Sequence, residues 1–91
     1  MQALKIIIQG NVQGVGYRRW FEKQAQELQL TGYVKNLDNG DVEAEIIGEE
    51  MQIQEILKRS LVGPLRAQVT KIERIPFDPA EREYTHFQMI R

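Results

Sequence analysis

The sequence contains no cysteine, which excludes disulfide bonds, a thiol nucleophile and a zinc site built on thiolates. Histidine occurs only once, so that, with cysteine absent, most of the usual catalytic residue types are scarce or missing. The longest aliphatic stretch, Ile6–Ile8, falls far short of the roughly 20 residues that span a bilayer. The formal charge of −1 creates no overall field that would attract nucleic acid or anionic lipid.

What the sequence does contain is typical of one small globular domain. Of its 91 residues, 42% are hydrophobic and 27% are charged, which argues against disorder. A chain of this length forms one modest core and has no room for a second. Its first residues lack the basic, apolar and small-residue segments of a signal peptide. We therefore expect a single domain over residues 1–91 in a soluble, cytoplasmic protein.

Hydrophobic periodicity predicts strands and helices in alternation. Leu4–Gln9 alternates like a strand, whereas apolar residues between Tyr17 and Leu28 recur at helical spacing. Tyr33–Asn36 predicts a second strand, and an Asn-Gly turn then leads into a return strand. That strand has Val42, Ala44 and Ile46 on its buried side and Asp41, Glu43 and Glu45 on the other. The two glutamates are therefore expected to face solvent and not to form a catalytic carboxylate pair.

The second half of the chain repeats the alternation. A second helix begins near Glu49–Glu50 and ends at Gly63-Pro64. Its predicted buried stripe consists of Ile53, Ile56, Leu57 and Leu61. Residues 66–76 predict a fourth strand whose apolar residues change parity, which requires a bulge at an unspecified position. Phe87 and Met89 alternate in a short last strand.

The order β-α-β-β-α-β, with an added C-terminal strand, predicts an α+β fold of the ferredoxin-like type. Each helix must bury its apolar stripe against a sheet, and each βαβ unit crosses over with a right-handed turn. The expected result is an antiparallel sheet with both helices on one face. The fold by itself leaves the function open, because it carries many different functions.

The most informative segment is the glycine-rich loop Gly10–Arg19, between the first strand and the first helix. Three glycines allow sharp turns with exposed amides, and the loop ends at a helix N-terminus, which favours an anion. Arg18 and Arg19 then occupy the first helical turn, where positive charge opposes the macrodipole. The known nucleotide motifs do not fit, because no Gly-Lys-Ser/Thr is present and Arg19 stands at the third glycine of G-x-G-x-x-G. The loop favours a phosphate-like anion without specifying a nucleotide.

Residues Gly10–Arg18, GNVQGVGYR, resemble the acylphosphatase signature, in which G-x-V-Q-G-V is followed by an aromatic residue and an arginine. A second block of that family, L-x-G-W/Y-V-x-N followed by G-x-V-E, matches Leu30–Asn36 and Gly40–Glu43. Gly63–Leu65 and Phe87–Met89 fit the weaker C-terminal pattern. The resemblance covers almost the whole chain. Gln29, where many members have glycine, and Tyr33, where tryptophan is commoner, depart from it outside the two catalytic positions.

The resemblance implies a site and a substrate. Arg18 would be the catalytic arginine that holds the phosphate, and Asn36 would orient the attacking water. Backbone amides would surround the phosphate oxygens, and they belong to Gln13, Gly14, Val15, Gly16, Tyr17 and Arg18. The substrate would be a small-molecule acyl phosphate, with inorganic phosphate or sulfate as a competing anion. We expect no metal, cofactor, nucleic acid or membrane to take part, and we expect a monomer.

This chemistry suits a chain that is poor in catalytic residue types. The carboxylate released from an acyl phosphate leaves without protonation, and phosphoryl transfer depends mainly on positioning and charge stabilisation. Arginine offers a fork of donors that matches phosphate, and asparagine can both accept from a water and donate to a phosphoryl oxygen. Arg19 is interpreted as a surface charge, since only the first arginine matches the motif, and Trp20 as packing beside the helix stripe. His86 is interpreted as an exposed or partly packed strand residue, because it has no partners for a catalytic triad.

Three alternatives remain. The chain could be an RNA-binding module of the same topology, although its central strands lack the aromatic residues on which bases stack. It could be a regulatory ferredoxin-like module that binds an anion without converting it. It could also be one domain of a larger carbamoyl-transfer protein, although the short segments at Met1 and after the last strand favour a free-standing enzyme.

Overall fold

A computed structural model describes residues 1–91 and confirms the predicted order of elements. In chain order they are β1 (Gln2–Asn11), α1 (Tyr17–Glu27), β2 (Thr31–Asn36), β3 (Val42–Gly48), α2 (Glu50–Val62), β4 (Gln68–Phe77), a 3₁₀ turn (Pro79–Glu81) and β5 (Phe87–Ile90). Neither helix has the length and hydrophobicity needed to span a bilayer.

The five strands form one mixed sheet in the order β4-β1-β3-β2-β5. The first four strands pair antiparallel, as predicted, but β5 pairs parallel to β2, with Gly32 opposite Phe87 and Lys35 opposite Ile90. The antiparallel sheet predicted for the β-α-β-β-α-β order is therefore confirmed, and the added C-terminal strand makes the five-stranded sheet mixed. The parallel direction of β5 has a topological reason, because β4 ends at the same end of the sheet at which β2 begins. The chain crosses the sheet at that end and β5 then runs in the direction of β2.

The predicted bulge lies at Thr70. The strands β1 and β4 pair in step as far as Gln9 and Lys71, after which Gly10 pairs with Val69, so that Thr70 is left as the extra residue. Gly10 has φ of 131°, and a Cβ there would collide with the carbonyl oxygen of Gln68. Glycine is therefore required at this point, where β1 leads into the glycine-rich loop.

Both helices pack on one face of the sheet and enclose an apolar core. Tyr17, Phe21 and Ala25 are the buried residues of α1, and Phe21 lies with its ring centroid 5.6 Å from that of Phe87 in β5. Trp20 packs against the same core, as predicted, with its ring 5.4 Å from Tyr17. This packing fixes the first turn of α1 relative to the edge of the sheet.

The buried stripe of α2 differs from the prediction at its last position. Ile53, Ile56 and Leu57 are buried, but Leu61 is 54% exposed and Ser60 is buried in its place. The stripe follows the spacing i, i+3, i+4, i+7, which ends at residue 60. Ser60 satisfies its hydroxyl by donating to the carbonyl of Ile56 at 2.6 Å.

The prediction that the acidic residues of β3 face solvent is wrong. Glu43 and Glu45 are only 7% and 4% exposed, although Asp41, just before the strand, is half-buried. The two glutamates lie on the sheet face opposite the helices, as the alternation requires, but other side chains cover them. Tyr84 and Arg82, which precede β5, donate to Glu45 Oε1 at 2.6 and 3.1 Å. Alternation along one strand determines the face, whereas distant segments determine what covers it.

Glu43 sits in a separate polar network on the same face. Its Oε2 accepts a hydrogen bond from the Tyr33 hydroxyl at 2.6 Å, and Lys5 and Lys35 lie 3.3 and 3.6 Å from its carboxylate oxygens. Burial alone would raise the pKa of Glu43. The hydrogen bonds from Tyr33 and Lys5 and the charges of the two lysines outweigh burial, and the pKa lies below its ordinary value.

We expect the free energy of unfolding to fall less steeply with decreasing pH in Glu43→Gln than in wild type. Since the pKa of Glu43 is lower in the folded chain than in the unfolded one, the carboxylate stabilises the fold above about pH 4.3. That contribution is lost as the pH falls through the folded-state pKa. Urea unfolding between about pH 3 and pH 7 should show a shallower decline for Glu43→Gln than for wild type. The exposed Glu83→Gln is the control, and equal slopes for wild type and Glu43→Gln would contradict the assignment.

The C-terminus of α1 explains one departure from the family pattern. Gln29 has φ of 59°, in the left-handed region. The amide of Leu30 donates to the carbonyl of Ala25 at 3.0 Å, and that of Gln29 donates to Gln26 at 3.1 Å. These two bonds define a Schellman motif, whose left-handed position is usually glycine.

We expect Gln29→Gly to stabilise the protein by about 0.5–1 kcal/mol. The strain of a left-handed non-glycine residue, about 1–2 kcal/mol, is removed, and the greater chain entropy of unfolded glycine offsets part of that gain. Lys23→Gly, at an exposed interior position of the same helix, should instead destabilise by about 1 kcal/mol. Urea midpoints measure both changes, and a destabilised Gln29→Gly would refute the strain argument.

Candidate functional site

The glycine-rich loop presents a row of backbone donors with no acceptor inside the protein. Gly14 and Gly16 have φ of 74° and 79°, and Gly16 caps α1 without a side-chain acceptor. The amides from Gln13 to Arg19 donate to no other backbone or side-chain group. Left-handed residues between ordinary ones turn successive amides toward a common point, which forms an anion-binding concavity. The partial positive charge at the helix N-terminus adds to it.

Arg18 stands in the first turn of α1 beside this row of amides. Its Nη1 donates to the carbonyl of Ile90 at 3.0 Å, so the end of β5 holds one side of the guanidinium. No carboxylate oxygen lies within 4.0 Å of its charged nitrogens. A guanidinium has five N–H donors, and most of those on Arg18 therefore stay free for an anion.

Asn36 is the last residue of β2 and pairs with Val42 of β3. Its Oδ1 is buried and accepts no hydrogen bond. Proteins pair nearly all buried polar atoms, because an unpaired one costs about 1–3 kcal/mol. Asn36 Oδ1 is one of two such unpaired oxygens, with Gln52 Oε1, and of these two residues only Asn36 lines the cleft described below.

These groups line one open cleft with a volume of about 480 Å³. Its walls combine the loop, the start of α1, the end of β2 and the end of β5. No acidic residue lines the cleft, whereas Arg18, Arg19 and Arg91 do. None of the three arginines forms an ion pair. A chain with net charge −1 thus contains a locally positive cleft of a size suited to a small anionic molecule.

The structure brings most of the predicted site residues to the cleft. Gln13, Gly14, Gly16, Tyr17, Arg18 and Asn36 line it, whereas Val15 packs against the core. The Tyr17 hydroxyl donates to the carbonyl of Ser60 at 2.7 Å inside the core. Burial raises the pKa of Tyr17 well above its ordinary value, so its phenol stays protonated. Tyr17 and Val15 are therefore limited to backbone contacts with a ligand.

Sequence reasoning missed the contribution of the chain's last residues. Met89 and Arg91 line the cleft, and the Ile90 carbonyl reaches Arg18, only because β5 adds to β2 in a parallel register. No local sequence signal indicates that register. Arg19 is exposed, as predicted for a surface charge, but it also lines the cleft. Its position next to Arg18 in the first helical turn was the available signal. His86 is exposed, but it lies in a bend directly before β5 and not in a strand as predicted.

Comparison with known proteins gives a consistent result. A family model for acylphosphatase matches residues 4–89. An acylphosphatase of Vibrio cholerae is 38% identical over 89 residues, which covers 98% of this chain and 97% of that protein. The crystal structure of acylphosphatase from Bacillus subtilis matches with a TM-score of 0.94 and 31% identity over 100% of both chains. An acylphosphatase structure from Coxiella burnetii matches with a TM-score of 0.92 and 35% identity over 98% of this chain and 92% of that one.

Three observations indicate the same family: the two sequence blocks, the ferredoxin-like fold and the relatives of nearly equal length. The chain therefore belongs to the acylphosphatase family, and its reaction class is the hydrolysis of an acid anhydride.

Proposed function

We propose that this protein hydrolyses small-molecule acyl phosphates to a carboxylate and inorganic phosphate, without a metal ion or cofactor. In this proposal the amides of residues 13–18 and the guanidinium of Arg18 bind the phosphate, and Asn36 orients the attacking water. The observation that carries it is the meeting, in one cleft, of unpaired loop amides, an arginine free of carboxylates and the unpaired Oδ1 of Asn36.

Binding of the substrate follows from the donors in the cleft. The phosphoryl group of an acyl phosphate carries negative charge, which the amide row and the end of the α1 dipole favour. Arg18 adds a fixed fork of donors whose spacing matches two phosphate oxygens. The contact with Ile90 holds that fork in place before the substrate arrives, so little reorganisation is needed on binding.

Cleavage of the acyl phosphate requires a positioned water and donors that stabilise the negative charge on the equatorial oxygens of the phosphoryl group. The phosphoryl group passes through a loose transition state in which attacking and leaving oxygens lie in line. Asn36, which lines the cleft, would hydrogen-bond the water and direct its lone pair at phosphorus, while Arg18 and the amides stabilise the equatorial oxygens. The bond from phosphorus to the carboxylate oxygen breaks, and the water releases its proton to solvent or to the new phosphate. No side chain has to act as a strong acid or base.

The remaining features of the proposal concern the state of the protein. We propose that it acts as a single domain and a monomer in the cytoplasm. Inorganic phosphate or sulfate would compete with the substrate, because either anion presents similarly arranged oxygens to the same donors. Sedimentation equilibrium tests the monomer, and inhibition kinetics with the two anions test the competition.

The proposed function is tested by hydrolysis of benzoyl phosphate and acetyl phosphate in excess EDTA. We expect turnover that EDTA leaves unchanged and that inorganic phosphate inhibits competitively. A folded protein without turnover would overturn the proposal in favour of an anion-binding module. An RNA affinity that survives Arg18→Ala, in a protein without hydrolysis, would support an RNA-binding module instead.

A further inference from the structure

The side chain of Gln13 makes two contacts that the sequence motif does not explain. Its Nε2 donates to the backbone carbonyls of Leu37 and Asp41, each at 2.8 Å. A carboxamide nitrogen has two hydrogens, so both are used in these bonds. The two carbonyls stand at the two ends of the turn between β2 and β3. Leu37 directly follows Asn36 in the chain.

These carbonyls also close the turn itself. The amide of Leu37 donates to Asp41 O at 2.8 Å, and the amide of Gly40 donates to Leu37 O at 3.2 Å. Each carbonyl oxygen has two lone pairs, one for the turn and one for Gln13. The side-chain carboxamide of Gln13 is therefore part of the hydrogen bonding that shapes the turn after Asn36.

No other hydrogen bond joins residues 12–16 to residues 36–41. The loop amides would hold the phosphate, whereas β2 carries the asparagine that would hold the water. These two parts of the site lie 18 to 23 positions apart in the sequence. Gln13 spans them with two bonds from a single planar group.

We propose that Gln13 is a positioning residue, which sets the distance and orientation of Asn36 relative to the phosphate held by the loop. This inference rests on the proposed function. Its side chain acts through the β2–β3 turn and touches neither the phosphate nor the water. In-line attack requires the reacting atoms to approach within about 3–3.5 Å, and a misplacement of 1 Å can cost about a hundredfold in rate.

Loss of this link should affect turnover more than binding. The loop amides and Arg18 remain in place when the Gln13 side chain changes, so the inhibition constant of inorganic phosphate should stay within about threefold of wild type. The value of kcat should fall about tenfold to a hundredfold, because the water then samples unproductive positions. A side chain that served only stability would lower the melting temperature without this split.

The first test uses Gln13→Met, which keeps the size of the side chain and removes both donors. The matched control is Gln26→Met, because Gln26 Nε2 also donates to a backbone carbonyl, that of Phe87 at 3.2 Å, near the other end of α1. We expect the kcat loss for Gln13→Met and a change below about twofold for Gln26→Met. A phosphate inhibition constant that rises in parallel with the fall in kcat would overturn the positioning role.

The second test asks whether Gln13 acts through Asn36. In a double-mutant cycle, Gln13→Met should cost less than about twofold in kcat when Asn36 is already alanine, because no positioned amide then remains to be misplaced. An equal loss in both backgrounds would show that the two residues act independently and would overturn the inference. Binding of inorganic phosphate by each variant shows that the loop is still folded.

The third test uses pH. In Gln13→Glu, a protonated carboxyl can still donate one hydrogen bond to a turn carbonyl, whereas a carboxylate donates none and repels both oxygens. The kcat deficit relative to wild type should therefore shrink as the pH is lowered from about 8 to about 5. Gln26→Glu, which faces a single carbonyl outside the cleft, should show no such trend. A deficit that is constant across this range would contradict the inference.

These outcomes separate the two proposals. A wild-type protein that does not hydrolyse acyl phosphates overturns the proposed function and the role of Gln13 together. A wild-type protein that does hydrolyse them, with an additive double-mutant cycle, leaves the proposed function standing and overturns the role of Gln13 alone.

Discussion

Arg18→Ala is expected to lower kcat/KM for benzoyl phosphate by about 10³-fold or more. The guanidinium belongs to a residue that lines the cleft beside the loop amides, it has no carboxylate partner, and the bond to Ile90 holds it in one orientation. Under the proposed mechanism, its removal would delete both a ground-state contact with the phosphate and the stabilisation of charge on the equatorial oxygens. The inhibition constant of inorganic phosphate should rise as well, because that anion uses the same donors. Steady-state kinetics with phosphate as inhibitor measure both effects.

Arg18→Lys distinguishes geometry from charge. An ammonium group keeps the charge but cannot place one donor on the Ile90 carbonyl and a planar pair on the phosphate. We expect it to recover less than about a tenth of the wild-type rate.

Arg19→Ala removes the same charge from the same helical turn, at an exposed position without a partner. We expect it to raise KM only about twofold to fivefold, less so at high salt. An Arg19→Ala defect as large as that of Arg18→Ala would show that net charge, and not a positioned fork, determines the activity.

Asn36→Ala is expected to lower kcat by about 10²–10³-fold while leaving the inhibition constant of phosphate within about threefold. The asparagine would act on the water and on the reacting phosphoryl group, so its loss is felt in turnover more than in anion binding. Asn36→Asp retains an acceptor for the water but adds negative charge beside the phosphate, and we expect it to be at least as inactive.

Asn36→Ala should also leave stability unchanged or slightly higher. The Oδ1 atom is buried without a partner, and its deletion removes an unsatisfied group that costs about 1–3 kcal/mol, which offsets the lost packing. Loss of activity without loss of stability is the result expected when a residue serves function and not folding. A fall in stability that parallels the loss of activity would instead assign Asn36 to the turn. Urea unfolding beside the kinetics separates these outcomes.

Local sequence patterns predicted most of the fold because they report what a segment does with its own neighbours. The alternation in Leu4–Gln9 and the helical spacing after Tyr17 correspond to β1 and α1. The unpaired amides lie in the loop that the glycines mark. The parity change in residues 66–76 indicated a bulge, and the pairing of Gly10 with Val69 then located it at Thr70.

The same patterns failed where a distant segment decided the environment. Glu43 and Glu45 alternate like solvent-facing residues, yet the partners that bury Glu45 come from residues 82 and 84. Leu61 continues an apolar spacing, but the packed face of α2 ends at Ser60. In each case the periodicity gave the direction of the side chain and carried no information on what lies opposite it.

The poverty of the sequence in catalytic residue types suggests by itself a chain poorly equipped for catalysis, and it fits a specific chemistry only once the loop has indicated an anion site. A chain without cysteine and with one histidine is suited to a reaction that needs anion donors and a positioned amide more than an acid or a base. The near-zero net charge, in contrast, concealed the cleft, because charge summed over a chain says nothing of its distribution in space. Arg18, Arg19 and Arg91 line one cleft only after the chain has folded.

The sequence alone therefore determined the elements, the loop and the family to which the chain belongs, since each depends on residues close together in the chain. Tertiary structure decided how the parts of the site meet. The parallel addition of β5 brings the Ile90 carbonyl to Arg18, and the side-chain carboxamide of Gln13 reaches the turn beyond Asn36. Both contacts join segments far apart in sequence, and their geometry is set by strand register and packing, which no local pattern encodes.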